Sequence, residues 1–136
     1  MKVGLIDVDG HHYPNLALMK LSAWHKAQGD DVEWWWGWGQ YDRVYMSKVF
    51  DETYSPDMPE PVNAVEIIKG GTGYGLENKL PDEIEHIYPD YSLYPELAKD
   101  TAYGFLTRGC PRGCHFCIVA DKEGRRSVKV ADLSEW

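Results

Sequence analysis

The chain has 136 residues, a formal net charge of −8 and only three cysteines. This length suits one ordinary domain with an appendage, and it is too short for a complete (β/α)8 barrel, which needs about 250 residues. The acidic balance argues against general affinity for nucleic acid. We find no membrane span or secretory signal in the sequence, and the clustered cysteines do not resemble a disulfide framework, so we expect a cytoplasmic protein.

The first part of the chain predicts a strand, a helix and a second strand. Residues 3–8 form a short apolar run, and residues 32–36 are rich in the aromatic side chains that strands favour. Between them, Pro14 can open a helix whose apolar residues recur at helical spacing until Gly29 stops it. This order predicts a parallel pair of strands with a right-handed crossover.

The remaining elements continue the alternation of strands and helices. Hydrophobic patterning predicts further strands at residues 42–50, 63–69 and 102–107, a short helix at residues 81–87 and the start of a helix at residues 127–136. Residues 88–95 are rich in tyrosine and proline and predict a linker or a segment that lies on the surface. The fold class that follows is α/β, with an open, parallel, three-layer sheet.

All three cysteines fall within eight residues, from Cys110 to Cys117, in a stretch that also holds Pro111 and Gly113. Their spacing is Cys-x3-Cys-x2-Cys, and we call residues 108–117 the cysteine loop. Three thiolates this close in sequence can converge on one point. A [4Fe–4S] cluster held by three cysteines leaves one iron without a protein ligand, and that iron can bind another molecule.

Two other readings of the cysteine loop stay open. The cysteines and His115 could form a Cys3His zinc site, although structural zinc ligands usually come as two separated pairs. Cys114 and Cys117 alone form a C-x-x-C redox pair, but this reading leaves Cys110 without a role. Six basic residues against two acidic ones lie between Arg108 and Lys129, and such cations favour thiolates nearby.

The cysteine spacing, with Phe116 before the last cysteine and residues 103–111 leading in, resembles the radical SAM superfamily. The resemblance implies that Cys110, Cys114 and Cys117 each bind one iron of a [4Fe–4S] cluster. It also implies that the open iron chelates S-adenosylmethionine, with Phe116 near the adenine. Reductive cleavage then gives a 5′-deoxyadenosyl radical, with electrons from a donor such as flavodoxin or ferredoxin. The substrate is unknown, and we assign no further catalytic residue.

Weaker similarities in residues 1–75 match the cobalamin-binding-like, flavodoxin-type domain that precedes the cysteine motif in some radical SAM proteins. The resemblance implies that residues 1–99 form this α/β domain and that residues 100–136 begin an incomplete radical SAM domain, with its first strand and cluster loop. The parent protein is then a radical SAM enzyme, and this chain alone is inactive. The alternative is a non-catalytic α/β binding module with a zinc-binding or redox-active cysteine loop.

Three details of the first domain bear on ligands. Asp9 begins an Asp-x-His-x-x-Gly pattern, which is typical of cobalamin binding, but Pro14 replaces the glycine, so we do not expect cobalamin and take His11 and His12 as exposed. The glycines of residues 70–75 favour a tight turn over a phosphate site. Because neighbouring strand residues face opposite ways, at least one tryptophan of residues 34–36 should be exposed.

Overall fold

The structure is a computed structural model that describes residues 1–10, 14–49, 60–71, 73–74, 80–97, 101–112, 114 and 119–136. Its helices and strands, in chain order, are β1 Lys2–Asp7, α1 Leu16–Ala27, β2 Asp31–Trp34, β3 Tyr41–Ser47, β4 Ala64–Gly70, α2 Asp82–Glu85, β5 Thr107–Arg108, α3 Val119–Glu123 and β6 Val128–Lys129. Two 3-10 turns lie at Tyr91–Leu93 and Leu133–Glu135. None of the helices in this described part of the chain has the length and hydropathy needed to cross a bilayer.

Four strands form one parallel sheet in the order β2-β1-β3-β4. The prediction of an open parallel α/β sheet is confirmed, and the order is the one expected of a flavodoxin-like fold. The chain runs outward from β1 to β2 and then returns past β1 to β3, so the strand order switches between β1 and β3. The ends of these two strands lie side by side, because Asp7 pairs with Ser47.

Helix α1 covers one face of the sheet. Its N-cap is Asn15, whose Oδ1 accepts a hydrogen bond from the backbone N–H of Leu18 at 3.2 Å. Leu18 and Met19 are fully buried and pack with Val3 of β1 in a cluster that also receives side chains from α2 and from the turn at Tyr91–Leu93. Burial of this apolar stripe is the main stabilisation of the helix, which at 12 residues is short for one that folds alone.

The opposite face of the sheet is covered in part by the connection between β2 and β3, residues 35–40. Trp35 packs there against a second apolar cluster built around Ile6, Val44 and Met46, and its Nε1 donates to Asn63 at 2.7 Å. The next tryptophans turn outward: Trp36 is 53% exposed and Trp38 is 89% exposed. The expected exposed tryptophan is therefore present, although β2 ends at Trp34 and not at residue 36.

Strand β4 is an outer strand of the sheet, and its end makes a close turn against β3. Gly71 has φ +96°, and a Cβ on this residue would overlap the backbone carbonyl of Lys48. That carbonyl accepts the N–H of Gly73 at 2.7 Å. Only glycine fits both the positive φ and the close approach, which confirms a tight turn at Gly71. Thr72 and Gly75 lie outside the described residues.

Two predicted elements near the C-terminal end differ from the structure. The strand predicted at residues 102–107 begins only at Thr107, because the preceding segment is held by the side chain of Tyr91 and by residues after β6 and not by a neighbouring strand. The helix predicted to start at residues 127–136 is wrong. That segment forms β6 and a 3-10 turn, in which Glu135 accepts the backbone N–H of Asp132 at 2.8 Å.

Contacts cross the predicted boundary at residue 99. The Nζ of Lys20, on α1, lies 4.1 Å from the ring centroid of Trp136, and burial lowers the pKa of Lys20 despite its acidic neighbours. His86 Nδ1 lies 2.8 Å from a carboxylate oxygen of Glu135. The last residues of the chain therefore pack on α1 and the end of α2. The division of the chain into residues 1–99 and 100–136 stays a prediction.

Residues 88–97, which we call the strap, are fixed to α1 through Asp90. The Asp90 carboxylate accepts hydrogen bonds from Ser22 Oγ at 2.7 Å, Lys26 Nζ at 2.6 Å and the backbone N–H of Ser92 at 3.1 Å. Burial alone would raise the pKa of Asp90, but these hydrogen bonds together hold it below the ordinary value of 3.8. A carboxylate with a lowered pKa in the folded state stabilises the fold only while it is ionised.

We expect Asp90→Asn to lower the free energy of unfolding by about 1–2 kcal/mol at neutral pH, since water screens part of the attraction at this partly buried site. The contribution is present above the ordinary carboxyl pKa and is lost as pH falls through the folded value. Urea unfolding at pH 7 and near pH 3 should therefore show a difference from wild type that shrinks in acid. Asp31→Asn, at an exposed carboxylate, is the control and should change little at either pH. A constant difference for Asp90→Asn would contradict the assignment.

Candidate cysteine-loop site

The cysteine loop starts from a short antiparallel hairpin. Thr107 pairs with Lys129 and Arg108 pairs with Val128, so β5 and β6 form the base from which the loop departs. Just beyond the hairpin, the backbone N–H of Cys110 donates to the carbonyl of Gly124 at 3.1 Å. The backbone on both sides of the loop is thus fixed by main-chain hydrogen bonds.

Gly109 allows this base to close. Its φ is +94°, a conformation that side chains rarely adopt, and a Cβ on it would overlap the carbonyl oxygen of Arg126 on the returning strand. Glycine satisfies both conditions at once. The glycine that precedes the first cysteine in the sequence therefore has a structural explanation that does not depend on any ligand.

Arg108 ties the base of the loop to two helices. Its Nη1 lies 2.7 Å from Glu123 on α3, and its Nη2 lies 3.3 Å from Glu85 on α2. The guanidinium carbon lies 4.3 Å from the centroid of the Phe105 ring, which adds a cation–π contact. Glu123 also accepts the backbone N–H of Gly109, at 3.4 Å. One arginine thus joins the loop to the α/β domain and to the helix that follows.

Two of the three cysteines lie within the described residues. Cys110 and Cys114 are partly buried and take part in no disulfide. Cys117 and Phe116 lie outside the described residues, as does His115. Among the residues with described positions, no group of three histidines, cysteines or acids is close enough to hold a metal ion. The assignment of the three cysteines to iron and of Phe116 to adenine therefore stays a prediction.

Exposed cations lie close in sequence to the two described thiols. Arg112, Arg125 and Arg126 are exposed, and none of them has a carboxylate partner among the described residues. Lys129 is also exposed, but it pairs with Asp132 at 2.5 Å, which raises the pKa of Lys129. Positive charge near a thiol favours its thiolate form.

A second set of polar side chains lies where β1 and β3 end. Asp7, Asn15 and Ser47 are all buried there, and Asn15 Nδ2 donates to Ser47 Oγ at 2.8 Å. Tyr94 of the strap donates its hydroxyl to Asp7 Oδ2 at 2.5 Å. Burial, and then this hydrogen bond, raise the pKa of Tyr94 well above its ordinary range. Asp7 was visible in the sequence as the acid that ends the first strand, but nothing local indicated Tyr94.

Asp9, the first residue of the partial cobalamin motif, makes a structural contact in the protein. The Asp9 carboxylate accepts the backbone N–H of Val49 at 2.7 Å, which ties the loop after β1 to the end of β3. Pro14 precedes the cap of α1. His11 and His12 lie outside the described residues. The contact to Val49 gives Asp9 a structural role that needs no corrinoid.

No protein-family profile matches the chain, and no solved structure matches it either. The chain is similar to the ribosomal protein uS12 methylthiotransferase RimO of Christiangramia forsetii, with 28% identity over 97 residues. The match covers 70% of this chain and 21% of the relative. The chain therefore spans about a fifth of the length of the curated relative that it matches.

Proposed function

We propose that this chain supplies the α/β domain and the cluster loop of a radical SAM iron–sulfur enzyme. In this proposal Cys110, Cys114 and Cys117 hold a [4Fe–4S] cluster, residues 1–99 are the α/β domain, and residues 100–136 begin the radical SAM domain. The observation that carries the proposal is the Cys-x3-Cys-x2-Cys spacing on an irregular loop. When bound, the cluster supplies the electron that cleaves S-adenosylmethionine to a 5′-deoxyadenosyl radical.

The described residues support this role by the way they present the loop. Gly109 and Arg108 fix its base, and Cys110 and Cys114 extend from that base with free thiols. The exposed arginines would offset the negative charge of thiolate ligands. Phe116 is proposed to contact the adenine of S-adenosylmethionine.

Similarity to a protein named as a methylthiotransferase supports the same class of enzyme. We extend the proposal to transfer of a methylthio group as the reaction type, with an electron donor such as flavodoxin or ferredoxin as partner.

Anaerobic reconstitution with iron and sulfide tests the proposal. We expect ~4 iron atoms per chain, with a broad visible absorbance that bleaches on reduction. Metal analysis and electron paramagnetic resonance of the reduced protein are the measurements. A chain that takes up no iron under these conditions but retains zinc would overturn the proposal. It would favour a non-catalytic α/β module with a zinc-binding cysteine loop.

A further inference from the structure

The carboxyl ends of β1 and β3 form the position where an open parallel sheet usually binds a ligand. Strand order switches there, and in open parallel sheets the ligand crevice lies at such a switch point. Three polar residues at this position, which we call the crevice, are 7%, 6% and 4% exposed: Asp7, Asn15 and Ser47. Such a set of buried polar groups needs hydrogen-bonding partners, either from a ligand or from the protein.

One hydrogen-bonding partner of Asp7 comes from the strap. Tyr94 is 3% exposed, and its hydroxyl donates to Asp7 Oδ2 at 2.5 Å. The Tyr94 ring also packs edge-on against Trp34, the last residue of β2, with 5.4 Å between ring centroids. An aromatic ring and a hydrogen-bonding hydroxyl are thus held at the end of β1, a place that a ligand's ring and polar group take in related architectures.

The strap is also connected to the entry of the cysteine loop. At one end, the backbone N–H of Asp90 donates to the carbonyl of Met19 at 3.0 Å, which fixes the strap on α1. At the other end, the Tyr103 hydroxyl donates to the Leu97 carbonyl at 3.2 Å, and Tyr91 Oη lies 3.3 Å from the backbone N and O of Tyr103. Tyr103 lies only four residues before β5.

We propose that the strap is the resident occupant of the crevice, taking the place of a small-molecule ligand, and that its seating through Tyr94 positions the entry to the cysteine loop. The residues do not fit cobalamin, since Tyr94 occupies the end of β1 and Asp9 is bound to the Val49 backbone. The parallel sheet then acts as a scaffold that holds the strap, and the strap in turn holds the segment that leads into β5. This inference does not depend on whether the cysteines hold iron.

Amide hydrogen exchange on the full chain tests the positioning role. Tyr94→Phe keeps the aromatic ring and removes the hydroxyl that donates a hydrogen bond to Asp7. We expect the strap and residues 103–108 to exchange about tenfold faster in this variant, a factor that corresponds to about 1.4 kcal/mol. Tyr88→Phe is the matched control, because Tyr88 lies in the same strap with its side chain 58% exposed, and it should exchange as wild type does.

A second variant distinguishes the contact of Tyr94 with Asp7 from the contact of Tyr91 with the Tyr103 backbone. Tyr91→Phe removes the hydroxyl next to the Tyr103 backbone and leaves Tyr94 in place, so exchange should rise at residues 103–108 while the amides near Tyr94 keep wild-type rates. If Tyr94→Phe speeds exchange in the strap but leaves residues 103–108 unchanged, the positioning role is overturned. Equal acceleration of residues 103–108 in Tyr88→Phe overturns it as well.

Titration with hydroxocobalamin tests whether the crevice is taken. We expect the wild-type chain to elute from gel filtration without the corrinoid and to leave its visible spectrum unchanged. Stoichiometric co-elution with the wild-type chain would overturn the proposal, because the strap would then have to leave the crevice. Both this measurement and the exchange experiment use metal-free protein, so their outcome is distinct from the reconstitution result.

Discussion

Replacing Cys110, Cys114 or Cys117 with alanine, one at a time, abolishes iron binding after anaerobic reconstitution. We expect wild type to bind ~4 iron atoms per chain and each variant to bind less than about one, because a cluster with two protein ligands is released or degraded. Iron and sulfide analysis together with the visible spectrum is the measurement. The loss should be equal for the three variants, since each cysteine supplies one ligand to the same centre.

His115→Ala is the matched control, because His115 lies between the second and third cysteines and is a ligand only in the zinc reading. A cluster held by three cysteines keeps its iron in this variant, whereas a Cys3His zinc site loses one of four ligands and much of its affinity. Loss of iron in His115→Ala would contradict the proposed ligand set. Retention of iron after removal of Cys110 would contradict it too, and would favour a centre that uses Cys114 and Cys117 alone.

Gly109→Ala opens the base of the cysteine loop. The substitution forces a side chain into φ +94° and places its Cβ against the Arg126 carbonyl. Together these effects should cost the hairpin about 2–4 kcal/mol. The exchange rate of the Val130 amide, which donates to the Leu106 carbonyl at 2.9 Å, reports on the hairpin. In reconstituted protein, iron should also be lost faster to a chelator.

Gly124→Ala is the control for this second prediction. Gly124 also has a positive φ, at +103°, but no atom lies within 4 Å of the position that its Cβ would take. The backbone strain alone should cost about 1–2 kcal/mol, so Gly109→Ala should have the larger effect. Equal effects of the two substitutions would show that the close approach to Arg126 contributes nothing to the base of the loop.

The parallel sheet was predictable from sequence because its signals are local. Strands β1 and β4 each hold three apolar residues of the larger kind within a few positions, and the start and stop signals of α1 are the local residues Pro14 and Gly29. The hairpin of β5 and β6 was not predictable in the same way. Each strand has two residues, too few for a periodic pattern, and the pairing joins residues about 20 positions apart.

In the candidate site, too, the local features were predictable from sequence and the contacts between distant residues were not. The cysteines are recognisable because their spacing lies within eight residues of sequence. The contact of Tyr94 with Asp7 joins residues 87 positions apart, and the pairing of Arg108 with Glu85 joins residues 23 positions apart. Such contacts depend on the packed tertiary structure, and no local motif encodes them. Sequence reasoning therefore predicted a chemistry for the loop, which stays a prediction, and missed the contacts that fix the base of the loop.

The outer strand β4 has a consequence for handling the protein. Val65 is 85% exposed on this strand, and no strand among the described residues pairs with its outer side. Glu66 and Lys69 also lie on this strand, and charged side chains on an outer strand discourage edge-to-edge pairing with other molecules. Because salt screens exposed charges, this protection of the sheet edge should be strongest at low ionic strength and near neutral pH, where both groups are ionised.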